Sequence, residues 1–215
     1  SEAEVSQYLE INNVIQGIFW TANKLYGLSF RERTEDYPQY HKQQQSWDVI
    51  DKKGNLIAIF YSDYYPRDGK GAGAWCGRFR PQSYDGAMRV QPIVTNVCNM
   101  TLPAEEGGPA LQTVDNVLTM FHEFGHALHS FFRDVQYEGT GGVERDFVEL
   151  PSQINEHWAF EPEVLRQYAR HYQTGEVIPQ ELVEKIDASS KYGQGFATVE
   201  YLAASYVDLD LHYLT

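Results

Sequence analysis

The chain has 215 residues, 42% of them apolar, with a formal net charge of −13 and two cysteines. That charge leaves no surface able to neutralise a run of phosphates and disfavours an anionic bilayer, so nucleic acid and membrane are excluded as expected partners. No apolar run approaches the length of a membrane span, and Cys76 and Cys98, with no CxxC spacing, read as reduced, packed thiols rather than a disulfide framework.

The length suits one domain with a sizeable core. In chain order, Leu9, Val14, Ile18 and Leu25 predict a helix over about residues 9–26, stopped by Gly27. A polar stretch runs from Arg31 to Ser46. Trp47–Ile50 and Leu56–Tyr61 then read as two strands of a hairpin, joined by a Lys-Lys-Gly-Asn turn. Gly69 to Gly77 is glycine-rich but lacks the lysine and following helix of a phosphate-binding loop, and is read as a mobile connection. Residues 93–98 predict another strand.

Thr113 is a natural N-cap, and Val114, Val117, Leu118, Phe121, Gly125, Leu128 and Phe132 follow at three- and four-residue steps. This predicts an amphipathic helix over about residues 113–132. Past the flexible Gly139–Gly142 stretch, the apolar spacing of residues 145–158 suggests a second helix. Two more helical stretches follow, at about 162–173 and 179–214. The fold class is α+β and mostly helical, with a small antiparallel or mixed sheet packed against the central 113–132 helix.

That helix carries His122 and His126, with Glu123 directly after the first histidine. A four-residue step turns about 400° and rises about 6 Å, so the two imidazoles leave one face as neighbours. Such a pair suits one zinc ion, and Glu123, about 100° round from His122, flanks the ion within reach of a water. Two buried histidines and a glutamate on one turn without a cation would instead leave costly polar groups unsatisfied.

A catalytic zinc keeps three protein ligands. His129 lies about 10.5 Å along the axis from His122, too far to share the ion, and reads as a packing or supporting residue. Downstream, Glu149, Glu156 and His157 are all chemically capable, and spacing alone does not choose among them. Gln153, one turn past Glu149, could orient a ligand. Strand residues 93–98 or 79–82 could offer an edge to an extended substrate.

The stretches FHEFGHALH (121–129) and RDFVELPSQINEHWA (145–159) resemble the thimet oligopeptidase and neurolysin family of zinc peptidases. Within that family they most resemble the peptidyl-dipeptidases, or dipeptidyl carboxypeptidases. FYSDYYPRDGKGAGAW (60–75), VTNVCNMTLP (94–103) and ARHYQTG (169–175) carry the likeness from about residue 12 to the end. The resemblance implies a zincin-like core with one Zn2+ held by His122, His126 and Glu149, and Glu123 as catalytic base. It implies hydrolysis of short peptides with release of C-terminal dipeptides; the alternatives are an endo-acting oligopeptidase, or a metal-stapled module without catalysis. Dipeptide release calls for a cation to meet the substrate carboxylate, and Arg78, Arg80, Arg89 and Arg145 are the candidates weighed. Family members are several times longer. Residues 1–215 are therefore expected to be a partial catalytic domain, with a helical portion before it and a Gly- and Tyr-rich substrate loop after it. The expected partners are short peptides and the remainder of its own full-length chain. The expected location is cytoplasmic, with periplasmic as the alternative.

Overall fold

A computed structural model describes residues 1–214, which fall into two compact units, Ser1–Ile178 and the segment from Pro179 onward. The first unit opens with α1 (Glu2–Ser6) and α2 (Ile11–Tyr26). The Glu10 carboxylate caps α2 by accepting from the Asn12 and Asn13 amides, so the helix begins two residues later than its apolar pattern suggests. Leu9 is fully buried ahead of the helix, whereas Leu25 is exposed. Gly27 ends α2 in the left-handed region, φ 70°, as its position predicts.

The expected polar stretch departs from prediction at both ends. Residues Ser29–Glu32 form β1, which pairs antiparallel with β2 (Gln45–Ile50). Pairing supplies the reason: Phe30 stacks on Phe19, and Arg31 and Arg33 both bond the buried Asp48 carboxylate on β2. The hairpin of β2 with β3 (Leu56–Asp63) is as expected. Its turn is held by the Asp51 carboxylate, which accepts from the Lys53 and Asn55 amides, and by Gly54 at φ 86°.

Two further strands flank the glycine-rich stretch. Residues Trp75–Arg80 form β4, so the predicted connection ends in a strand. Its earlier part is clamped rather than loose: Asn99 Nδ2 donates to the Gly71 and Gly73 carbonyls, and the buried Lys70 Nζ bonds Asp63 and the Tyr65 carbonyl. A small hairpin of β5 (Ser83–Asp85) and β6 (Met88–Val90) leads into β7 (Ile93–Val97). The main sheet is mixed, in the order β1-β2-β3-β7-β4, with β3 and β7 parallel and every other pair antiparallel. Because β7 lies inside this order, residues 93–98 offer no free edge. The edge strands are β1 and β4.

Helix α3 (Val114–Phe131) crosses one face of the sheet, its first turn capped by the Thr113 hydroxyl accepting from the Asn116 amide. Phe124 on α3 meets Phe19, Phe30, Phe60 and Phe131, an aromatic cluster that ties α2, the sheet and α3 into one core. A 3-10 turn (Glu138–Thr140) is followed by α4 (Leu150–Glu156), shorter than expected because residues 144–149 form turns instead. Helix α5 (Pro162–Tyr168) also stops early, where Ala169 leaves helical geometry and Arg170 bridges to Val177. The Tyr168 ring fills the space beside Gly17 on α2, where a Cβ would come within 2.5 Å of it.

The second unit contains α6 (Gln180–Ser190) and α7 (Gln194–His212). The single helical stretch expected here is broken at Gly193, which adopts φ 72°. No helix of the described residues is long and apolar enough to cross a membrane.

Candidate metal centre

His122 and His126 leave α3 one turn apart, their ring centroids 5.1 Å from each other. Helix α4 brings Glu149, at its N-cap, against both. Glu149 Oε2 lies 3.1 Å from His122 Nε2 and 3.2 Å from His126 Nε2. The three ligand atoms fall within 4.8 Å of one another, the one such His/Cys/Asp/Glu group among the described residues. Two imidazole nitrogens and a carboxylate oxygen converging on one point form the donor set that zinc takes in hydrolases, and the residues fit such an ion.

Three contacts hold Glu149 there. Its carboxylate accepts from Ser152 Oγ at 2.8 Å, which more than any other contact holds its pKa below the usual carboxylate range; the charges of His126 and His122 add to this. Asn155 Nδ2 donates to the Phe121 carbonyl at 2.7 Å, strapping α4 to α3. Gly125 permits the crossing: a Cβ there would stand 2.6 Å from the Pro151 carbonyl oxygen and 2.7 Å from Ser152 Cα. The glycine in the middle of the histidine motif is thus a packing requirement rather than a ligand feature.

Glu123 is 6% exposed, and its Oε2 has no hydrogen-bond partner. Burial raises its pKa and the neighbouring Glu149 charge adds to this, while His122 opposes it. A carboxylate so placed is a proton acceptor with a free lone pair, the property a general base needs. Burial likewise lowers the His126 pKa, favouring the neutral imidazole that a metal requires.

A family model described as Peptidase family M3 matches residues 1–215. The chain belongs to peptidase family M3. This M3 chain is 45% identical over 216 residues to dipeptidyl carboxypeptidase of Escherichia coli (strain K12), covering 99% of this chain and 31% of that protein. It is 35% identical over 219 residues to oligopeptidase A of Salmonella typhimurium (99% and 32%) and 30% identical over 219 residues to saccharolysin of Saccharomyces cerevisiae (97% and 31%). The M3 segment therefore spans about a third of the length of the curated relatives it matches.

The other residues weighed from sequence separate clearly in the M3 site. Glu156 does not join the His122, His126 and Glu149 group; its Oε1 lies 2.5 Å from His122 Nδ1, where it fixes the ring with Nε2 toward Glu149. Neither Gln153 nor His157 supports a ligand: both are exposed, and Gln153 makes no side-chain hydrogen bond among the described residues. His129 lines the same cleft one turn beyond His126. Cys76 also lines it, and burial pushes its thiol up to about 12, so it is no nucleophile at neutral pH. Cys98 is buried and free. Of the four arginines, Arg80 bonds the Gln91 carbonyl, Arg89 bonds the Ile57, Phe131 and Arg133 carbonyls, and Arg145 is exposed away from the cleft. Arg78 alone faces it. Sequence reasoning missed Ser152 and Asn155. They sit three and six residues after Glu149, one and nearly two turns along α4, and that spacing was the available signal.

The Glu156 contact carries a prediction. Glu156→Gln is expected to weaken zinc binding by about 10–100-fold while leaving thermal stability nearly unchanged, as measured by competition with a fluorescent chelator. Unaltered zinc affinity would show that His122 needs no such partner.

Proposed function

We propose that this chain is the metal-bearing portion, with a zincin-like core, of a zinc-dependent peptidase that removes dipeptides from the C-termini of short peptides. Residues 1–215 would be part of its catalytic domain, acting with the remainder of a longer polypeptide. One observation carries the reading. A carboxylate oxygen is shared between two imidazoles, and Glu123, one of whose carboxylate oxygens is buried without a partner, lines the same cleft of about 440 Å³.

His122, His126 and Glu149 would hold one Zn2+, and Glu156 would keep His122 in the tautomer that presents Nε2. When bound, the ion supplies Lewis acidity and lowers the pKa of water from 15.7 to near 7. Glu123 takes the attacking water's proton and delivers it to the departing amine, its raised pKa suiting both transfers. The substrate backbone pairs with the outer edge of β4, whose Trp75, Cys76 and Arg78 line the cleft opposite α3. This reading puts the pairing edge at residues 75–80 rather than 93–98, which lie inside the sheet.

Dipeptide release is favoured over internal cleavage by the higher identity to dipeptidyl carboxypeptidase than to oligopeptidase A. A purely structural metal site is disfavoured by Glu123, since such a site has no use for a buried, unpartnered base. Chelation of the natural protein that carries this sequence should remove one zinc per chain and abolish peptide hydrolysis, with one equivalent of zinc restoring it. Mass spectrometry of the products should show dipeptides from the C-terminus. Full hydrolysis by metal-free protein would overturn the zinc mechanism, and internal fragments would assign the endo-acting alternative.

A further inference from the structure

Asn96 on β7 is fully buried, and neither its Nδ2 nor its Oδ1 has a hydrogen-bond partner among the described residues. A buried amide left unpaired at both ends is rare, because each orphaned atom costs its desolvation. The sheet register shows where that amide lies. Phe60, opposite Val94, packs on Phe124 and Phe131 of α3. Two residues further on, Ser62, Asn96 and Cys76 stand abreast on β3, β7 and β4, and so share the face that α3 covers. Arg78, opposite Val94, reaches Ser130 Oγ on α3 at 3.5 Å, and Glu123 lies seven residues before Ser130 on the same side of that helix. Seven helical residues span about 10.5 Å, which carries Glu123 past the Arg78 row to the level of Cys76, Asn96 and Cys98. The two thiols agree with this placement. After burial, the Glu123 charge is the next cause that raises both Cys76, beside Asn96, and Cys98, two residues beyond it.

Glu123 Oε2 is itself buried without a partner, so three orphaned polar atoms meet between the sheet and α3. The two side chains do not bond each other directly. A water needs two to four polar partners, and an amide facing a carboxylate supplies both donor and acceptors. We propose that Asn96 is a positioning residue for Glu123, acting through a buried water that accepts from Asn96 Nδ2 and donates to Glu123 Oε2. This rests on the reading of Glu123 as the base of a zinc peptidase. The bridge ties Oε2 to the sheet and leaves the other oxygen to the cleft that Glu123 lines. A carboxylate held in one orientation keeps its free lone pair aimed at the attacking water, and small misplacements of a reacting group are costly in rate.

The test uses the natural zinc-loaded protein. Asn96→Leu, of similar size but unable to hydrogen-bond, should lower kcat by about 10–100-fold with KM and zinc content unchanged. Its melting temperature should hold or rise, because an apolar group replaces a buried amide that bonds no other residue. Asn96→Thr, which restores a donor and an acceptor, should recover part of kcat and guards against a packing defect. In the Glu123→Gln background, Asn96→Leu should cause no further loss, since Asn96 acts only through the carboxylate. Parental kcat in Asn96→Leu, or the same fold-loss in both backgrounds, would overturn the proposal. A second arm is a crystal structure of the unaltered protein, in which one water should lie about 3 Å from both the Asn96 amide and Glu123 Oε2. A dry contact there would also overturn the bridge. Failure of the unaltered protein to cleave any peptide would instead sink the peptidase reading, and the crystallographic arm would then decide the bridge by itself.

Discussion

Glu123→Gln is expected to lower kcat by about 10²–10⁴-fold while zinc content and melting temperature stay at their starting values. Glutamine matches glutamate in shape, so the buried side chain keeps its place, but an amide oxygen cannot accept and deliver a proton at neutral pH. The fold has no stake in the charge. Glu123 Oε2 has no partner to lose, and burial already disfavours its ionised form. Stability should therefore hold or rise slightly. The measurement pairs single-turnover peptide cleavage with elemental analysis on the same preparation. A variant that retains zinc and turns over at the normal rate would remove Glu123 from the chemistry and leave the cleft without a base.

Gly125→Ala is expected to be the most damaging small change near the site, and its sign opposes helix propensity. In an exposed helix interior, glycine to alanine stabilises by about 1 kcal/mol. Here the added methyl would stand 2.6 Å from the Pro151 carbonyl oxygen and 2.7 Å from Ser152 Cα, both backbone atoms that cannot rotate away. Helix α4 must move outward, straining the Asn155 bond to the Phe121 carbonyl and drawing Glu149 from the two histidines. Overpacking of this kind costs about 1–3 kcal/mol, which for a chain of this size lowers the melting temperature by roughly 2–4 °C per kcal/mol. Zinc affinity should fall by at least about tenfold as Glu149, the proposed third ligand, recedes. Thermal unfolding with and without zinc checks both effects. A variant as stable as the parent, with the same zinc affinity, would show that α4 yields more readily than its backbone contacts imply.

Legibility from sequence followed the range of the interaction. The α2 and α3 boundaries at Gly27 and Thr113, and the turn at Gly54, were readable because caps and turns are satisfied by residues within a few positions. Strand β1 was not, because Ser29–Glu32 is a strand only through its pairing with β2 and the packing of Phe30 on Phe19. The glycine-rich stretch misled for the same reason. Its order comes from Asn99 and Lys70, one of them some 26 residues downstream of the carbonyl it binds.

What the chain's own letters determined is the adjacency of His122, Glu123 and His126, since helical periodicity is a local property that four residues suffice to express. Which downstream group meets that pair and which edge strand borders the cleft were decided only by tertiary structure. Each depends on how α4 and β4 pack against α3, and no spacing along the chain encodes where two segments separated by flexible loops come to rest.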